Sequence, residues 1–238
     1  MFTEFLRARD AQRVSLSLEK LTAHGFQAGA LTGSLAAEAH LFSLGLKTEQ
    51  HPVNDIDFVV ESFDSIPGSL ADGFLVHHIH PHALEGKTLL QLIDPEHALR
   101  IDFFRQFGST LARTAPLTMI SLEDLVARTT SFVLGHLRRG ATFDQKHVRA
   151  FRRLAGLGDP AKIDAAWRDH RQGEIESFRE AAHLARQLLD LHPELAIHEQ
   201  YSPEVSICPK CQDHGPFQRP RPDVIIKMLG YWGRSLYY

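Results

Sequence analysis

The chain has little cysteine, no long apolar run and no leader-like N-terminus. Its two cysteines, Cys208 and Cys211, are too few for a disulfide framework, and in a reducing compartment such a close pair favours metal binding over a bridge. No stretch of about 18 apolar residues is present to cross a membrane. The first residues, MFTEFLRARDAQRV, lack the cationic segment and apolar core of a secretory signal. We therefore expect a cytoplasmic protein with no membrane partner.

A strong charge of either sign is also missing. The 26 basic and 29 acidic residues leave a formal net charge of −3, so no global basic field draws the protein to nucleic acid, and only a local basic patch stays open. Internal repeats and low-complexity segments are absent. With 238 residues, 43% of them apolar, the chain is long enough for one large domain or a domain with a smaller companion.

The first half of the chain alternates helical and extended patterns. Apolar residues at helical spacing predict a helix over 11–24 and another over 35–44, each ended by a glycine. Short apolar runs predict strands over 28–32, 55–61, 74–80, 88–93 and 99–104, with a polar loop over 47–54. Because the connections are too short for a fully parallel sheet, we expect an α+β fold with a mixed sheet and helices on one face.

The second half is predominantly helical in pattern. Ser121 with Asp124 three residues later is a capping-box variant, which predicts a helix that runs to about Arg139. Further helices are predicted over 144–154, from Asp159-Pro160 onward, over 174–191 and, at shorter length, over 223–231. We therefore divide the chain into an α+β core over 1–118 and a helical region over 119–238.

Three aspartates stand on strands that are otherwise apolar. Asp55 and Asp57 are separated by one residue, so on a strand their side chains project from the same face, and Asp102 is embedded in an equally apolar strand. Crowded carboxylates on a half-buried sheet repel each other and lose hydration unless a positive charge compensates them. Hard oxygen ligands of this kind suit Mg²⁺ or Mn²⁺.

The turn at Gly33-Ser34 precedes a predicted helix and is a candidate phosphate-binding element. A helix N-terminus presents free backbone N–H groups and the positive end of the helix dipole. Glycine lets a phosphate approach the backbone, and the serine adds a hydroxyl donor. A Gly-Ser turn is also an ordinary helix start, so it gains meaning only together with the aspartates.

Together these residues resemble the nucleotidyltransferase superfamily related to DNA polymerase β, and within it small bacterial enzymes of the antibiotic and toxin types. The resemblance rests on Gly33-Ser34, on Asp55-x-Asp57 and on Asp102, and it covers roughly residues 25–135. It implies a mixed-sheet nucleotidyltransferase core and two Mg²⁺ ions. Asp55 and Asp57 would hold both ions, Asp102 would hold the catalytic ion, and Gly33 and Ser34 would bind the triphosphate.

Several cations and histidines are weaker candidates for contacts with the triphosphate. Arg100 shares a strand face with Asp102, where it is as suited to pairing with an acid as to binding substrate. The histidines 78, 80 and 82 alternate along a predicted strand, where a metal cluster competes with an ordinary polar edge. The other cationic candidates are Lys47, His51, Lys87, Arg128 and Lys146.

A second candidate metal site lies near the C-terminus. Cys208-Pro-Lys-Cys211 followed by His214 has the spacing of a structural zinc knuckle, with His198 or the more distant His192 as the fourth ligand. A reduced turn without metal and a redox pair are the alternatives. Zinc here would hold the Pro-rich tail in place, because soft thiolates suit structure better than phosphoryl transfer.

Two functions remain open from the sequence. The first is a nucleotidyltransferase that transfers NMP from a nucleoside triphosphate such as ATP to an unidentified acceptor hydroxyl. The second is a catalytically inactive nucleotidyltransferase-like module that binds RNA or protein through a basic face. That face would comprise Arg138, Arg139, Arg149, Arg152 and Arg153, which are equally compatible with a solvated helix surface.

Overall fold

A computed structural model of the chain describes residues 2–27, 29–50, 52–80, 89–105, 111–114, 117–171, 173–197 and 216–218. The fold is α+β, with a mixed sheet and six α-helices. Two compact units are present, one drawing on residues 1–107 and 201–238 and the other on residues 108–200. Within the described residues, no helix is both long enough and apolar enough to cross a membrane.

The first unit contains two helices and five strands. Helix α1 is Ala8–Ala23 and helix α2 is Gly33–Ser43, and the strands are β1 (Ala30–Thr32), β2 (Asp55–Val60), β3 (Leu75–His80), β4 (Leu89–Asp94) and β5 (Leu99–Arg105). These confirm the predicted helices and strands of this half. Helix α2 begins two residues earlier than predicted, because Gly33 is itself the first residue of the helix.

Within this unit the strand order is β3-β4-β5-β2-β1. Strand β2 is antiparallel to β1 and parallel to β5, while β4 is antiparallel to both β5 and β3. Strand β5 therefore lies between β2 and β4, although it follows both along the chain. Because of this insertion, residues about 45 positions apart in the chain become neighbours in the β2–β5 ladder. The candidate site depends on the register of that ladder.

The apolar face of these strands forms a core. Ile56 pairs with Ile101 and Phe58 with Phe103 across the β2–β5 ladder, and both phenylalanine rings are buried and stacked with centroids 5.8 Å apart. Phe26 packs edge-on against the two rings at 5.1 and 5.0 Å. Because side chains alternate along a strand, the intervening aspartates face the opposite side of the sheet.

The second unit is mainly helical. Its helices are α3 (Leu122–Arg138), α4 (Gln145–Leu154), α5 (Pro160–His170) and α6 (Phe178–Leu191), and its strands are β6 (Leu111–Thr114), β7 (Leu117–Ile120), β8 (Phe143–Asp144) and β9 (Ala196–Ile197). Strands β6 and β7 form an antiparallel hairpin, and β8 pairs parallel with β9. The predicted start of α3 is confirmed, since the Ser121 hydroxyl accepts a hydrogen bond from the backbone N–H of Asp124.

Buried polar contacts fix the packing of the second unit. Trp167 is fully buried, and its indole N–H donates to the carbonyl of Ile175 (3.0 Å). His170 Nε2 lies 2.8 Å from Asp124 Oδ1, which ties the end of α5 to the first turn of α3. Helix α6 begins at Phe178 and not at Glu174 as predicted, because Ser177 caps it by accepting from the N–H of Glu180.

Candidate active site

The three predicted aspartates come together on one face of the first unit's sheet. In the parallel β2–β5 ladder Asp57 is the register partner of Asp102, and Asp55 is the partner of Arg100. One carboxylate oxygen from each of Asp55, Asp57 and Asp102 lies within 4.8 Å of the other two. We call these three residues the aspartate triad. Their oxygens are close enough to be ligands of a shared cation.

Arg100 forms an ion pair with two members of the triad. Its Nε donates to Oδ1 of Asp102 (2.7 Å) and its Nη2 donates to Oδ2 of Asp55 (2.9 Å). The guanidinium therefore bridges a carboxylate on its own strand and one on the neighbouring strand. Of the two roles expected for Arg100, the structure contains the pairing with acids.

Asp102 is the buried member of the triad, whereas Asp55 and Asp57 are partly exposed. Only 3% of Asp102 is exposed, and this burial raises the pKa of its carboxyl group above the ordinary value. The nearby charge of Asp55 raises the pKa further. Arg100 and the hydrogen bond from Gln91 oppose the rise without cancelling it. The carboxyl group of Asp102 therefore keeps a raised pKa even though Arg100 and Gln91 contact it.

Two residues absent from the sequence-based site extend it across β4 and β3. Gln91 is the register partner of Asp102, and its Nε2 donates to Asp102 Oδ2 (2.9 Å). His77 Nδ1 lies 3.3 Å from Gln91 Oε1. Burial lowers the pKa of His77, so its imidazole is neutral near pH 7 and can donate to the glutamine. Both contacts fix the orientation of the Asp102 carboxylate.

The N-terminus of α2 lies directly against Asp57. Gly33 has φ +67°, and a Cβ placed on it would lie 1.9 Å from Oδ2 of Asp57. No residue other than glycine fits here without displacing that carboxylate. Ser34 is the exposed second residue of the helix. The predicted phosphate-binding turn and the predicted metal ligands are therefore immediate neighbours.

Thr32 contributes a buried hydroxyl without a partner. The residue is 2% exposed, and among the described residues its Oγ1 is the single buried side-chain oxygen or nitrogen that makes no hydrogen bond. Thr32 is paired with Asp57 in the antiparallel β1–β2 ladder, so the two side chains lie on the same face. A buried hydroxyl usually has a partner, and this one faces the triad.

The remaining cationic candidates lie on other elements of the chain. Lys47 is exposed in the loop after α2, while Arg128 on α3 and Lys146 on α4 belong to the second unit. Of the five arginines proposed as a basic face, Arg138 and Arg139 are exposed at the end of α3, Arg149 and Arg152 are exposed on α4, and Arg153 is half-buried there.

The predicted zinc site lies outside the described residues. This applies to Cys208, Cys211, His214 and His198, and also to His51, His82 and Lys87. His78 and His80 are on β3, but their side chains are not described. His192, the more distant candidate ligand, is exposed with Nδ1 3.2 Å from Glu194 Oε1. The zinc knuckle stays a prediction.

Similarity to known proteins adds no further assignment. Comparison of the chain with protein-family models, with curated proteins and with solved structures finds no match. The geometry of the residues themselves therefore carries the functional argument.

Proposed function

We propose that the first unit is a metal-dependent nucleotidyltransferase, which transfers NMP from a nucleoside triphosphate to an acceptor hydroxyl. One observation carries this proposal, namely the convergence of the aspartate triad with the N-terminus of α2. Asp57 belongs to the carboxylates that can hold cations, and Gly33 belongs to the helix N-terminus whose backbone N–H groups can bind phosphate. These two residues are in direct contact. The resemblance of these motifs to the nucleotidyltransferase superfamily supports the same proposal.

The donor set fits Mg²⁺. All three ligands are hard carboxylate oxygens, and Thr32 offers a buried hydroxyl without a hydrogen-bond partner on the same face of the sheet. A pair of bound Mg²⁺ ions would stabilise the attacking and leaving oxygens of an in-line displacement at the α-phosphorus. Asp55 and Asp57 would hold both ions and Asp102 one of them.

The chain's own groups then have distinct tasks. The free backbone N–H groups at Gly33 and Ser34 bind phosphate oxygens, and the exposed Ser34 hydroxyl adds a donor. The missing side chain of Gly33 allows that close approach. Asp102, whose pKa is raised, is the triad member best suited to accept the proton of the acceptor hydroxyl, and Gln91 keeps its carboxylate oriented.

The direct test is Mg²⁺-dependent nucleotide chemistry by the purified full chain. We expect Mg²⁺-dependent binding of α-labelled nucleoside triphosphates and release of pyrophosphate with a suitable acceptor. Asp57→Asn should lower the rate at least about a thousandfold, because several kcal/mol of charge stabilisation are lost. Asp72→Asn, which removes an exposed carboxylate from the short helix Gly68–Asp72, is the matched control and should leave the rate unchanged.

The acceptor class is left to experiment, with an antibiotic, a tRNA end, a protein side chain and a small metabolite as the panel. If the wild type and Asp57→Asn bind neither Mg²⁺ nor nucleotide and are equally inert with every acceptor, the proposal is wrong. The alternative of an inactive RNA- or protein-binding module would then be preferred, and the exposed arginines at the end of α3 and on α4 favour it.

A further inference from the structure

Arg100 uses the carboxylate oxygens that a metal ion would need. Its guanidinium takes Oδ1 of Asp102 and Oδ2 of Asp55, while Gln91 takes the other oxygen of Asp102. A Mg²⁺ ligand must come within about 2.1 Å of the ion. A cation bound by both Asp55 and Asp102 would therefore compete for the positions that the guanidinium holds.

We propose that Arg100 is a displaceable internal counter-ion, which holds the aspartate triad in the metal-free protein and leaves Asp55 and Asp102 when a divalent cation binds. The inference rests on the proposed metal site and adds a regulatory step to it. A metal ion that binds Oδ1 of Asp102 or Oδ2 of Asp55 competes with an ion pair of 2.7–2.9 Å, so Arg100 lowers the affinity for metal.

Charge makes the exchange favourable. The guanidinium carries a single positive charge, which it shares between the carboxylates of Asp55 and Asp102. A divalent ion supplies twice that charge to the same oxygens. The Thr32 hydroxyl, buried on the same face without a hydrogen bond, is a second and independent observation that points to a ligand at this site.

Arg100 lies close enough to solvent for its side chain to move into water when it is displaced. The side chain of Arg100 is 15% exposed and that of Asp55 is 13% exposed, so the pair lies at the edge of the buried cluster and not within it. An arginine side chain has several rotatable bonds and remains charged at every relevant pH. It can therefore turn to water without the cost of stranding a buried charge.

The test measures Mn²⁺ binding by calorimetry and thermal stability in the presence of a chelator, using the full chain. Arg100→Gln should bind Mn²⁺ about tenfold more tightly than the wild type, since the competing charge is gone. Without metal it should melt at a lower temperature, because the triad has lost its counter-ion, and Mn²⁺ should restore the loss. Arg100→Lys keeps the charge but not the fork that bridges two carboxylates, so its affinity should be intermediate.

Arg105→Gln is the matched control, since it removes an exposed arginine from the other end of the same strand, where Nε donates to the carbonyl of Glu61. It should bind Mn²⁺ as the wild type does. If Arg100→Gln and the wild type bind Mn²⁺ with equal affinity, Arg100 is not displaced and the inference fails while the metal site stands. If none of the variants binds Mn²⁺, both the inference and the proposed metal site are wrong.

Should Arg100→Gln fail to fold, Arg100→Lys decides the matter alone. Tighter Mn²⁺ binding than the wild type supports displacement, and equal or weaker binding overturns it.

Discussion

Among the described residues, the first unit has two acidic clusters with one buried aspartate each, and they differ in what surrounds that aspartate. One is the aspartate triad. The other, at the turn between β4 and β5, comprises Asp94, Glu96 and His97, and we call it the turn cluster. Each brings three potential ligand atoms within 4.8 Å. Proximity alone therefore does not distinguish a site for chemistry from a structural contact.

The turn cluster satisfies its buried acid. Asp94 is fully buried, and it accepts hydrogen bonds from the Ser17 hydroxyl (2.7 Å), from Lys20 Nζ (3.2 Å) and from the backbone N–H groups of Glu96 and His97. Burial alone would raise the pKa of Asp94. The hydrogen bonds from His97 and Ser17 and the charge of Lys20 outweigh it, so the pKa is lowered.

The contrast teaches that burial raises the pKa of both aspartates, and that the hydrogen bonds and charges around each one decide whether the rise is overcome. Asp94 accepts hydrogen bonds from both α1 and the β4–β5 turn, and it therefore ties the two together. Asp102 is also buried, and its pKa is raised, first by that burial and then by the charge of Asp55, because Arg100 and Gln91 do not offset the two effects. An acid with a lowered pKa stabilises the fold, whereas one with a raised pKa costs stability and is poised for a ligand or proton.

The largest expected effect is from removal of Asp94. Asp94→Ala removes the buried partner of Lys20 and leaves the Ser17 hydroxyl and the turn's N–H groups without this acceptor, so the free energy of unfolding should fall by about 3–5 kcal/mol. Urea denaturation measures the loss. Glu96→Ala is the control, because this carboxylate is largely exposed beside Lys20 and should contribute at most about 0.5 kcal/mol. Equal losses for the two variants would remove the distinction between the clusters.

A smaller effect is expected at Gly33. Gly33→Ala places a Cβ against the Asp57 carboxylate and also strains a positive φ, so stability should fall by about 2–4 kcal/mol and Mn²⁺ binding should weaken. Gly45→Ala has the same strain (φ +68°) with nothing within 4 Å of its Cβ. It should cost only about 1 kcal/mol and leave Mn²⁺ binding unchanged. If Gly33→Ala and Gly45→Ala have the same effect on Mn²⁺ binding, the N-terminus of α2 is not part of the metal site.

The smallest effect has the opposite sign. Asp102→Asn removes a carboxylate whose pKa is raised, so the metal-free protein should gain about 1 kcal/mol at neutral pH, or about 2–4 °C in Tm, while it loses Mn²⁺ binding. If Asp102→Asn instead has a lower Tm than the wild type without metal, the Asp102 carboxylate stabilises the fold as that of Asp94 does.

The pH dependence of this gain follows from linkage. As the pH rises above the ordinary value of 3.8, unfolded Asp102 loses its proton before folded Asp102 does. Wild-type stability therefore falls through the raised folded pKa, and the advantage of Asp102→Asn should grow over that window and then level off. Asp94 acts in the reverse direction, since its stabilisation is present above 3.8 and is lost as the pH falls through its lowered folded pKa.

The sequence predicted the elements where local periodicity was strong. The α2 start was placed late because a Gly-Ser pair is typical of a turn, whereas Gly33 is helical here. The acidic stretch before Phe178 resembled a helix, but the Trp167 indole holds the carbonyl of Ile175 there. The β6–β7 hairpin was not predicted, since each strand has only four residues.

Within the site, alternation along single strands was enough to place Asp55, Asp57 and Asp102 on the same face. The contributions of Gln91, His77 and Thr32 depend on register between strands, which no local pattern encodes. One signal was present, because Gln91 interrupts the apolar run Leu89–Ile93 much as Asp102 interrupts its own strand.

The position of β5 makes the triad a product of long-range assembly. Asp55 and Asp57 leave the ribosome well before Asp102, and their partner strand is inserted between β2 and β4 only after the β3–β4 segment has been made. A slip of one residue in the β2–β5 ladder would turn Asp102 away from them. Binding of metal during refolding would therefore report when β5 pairs with β2. We expect it to appear after the helical circular-dichroism signal has recovered.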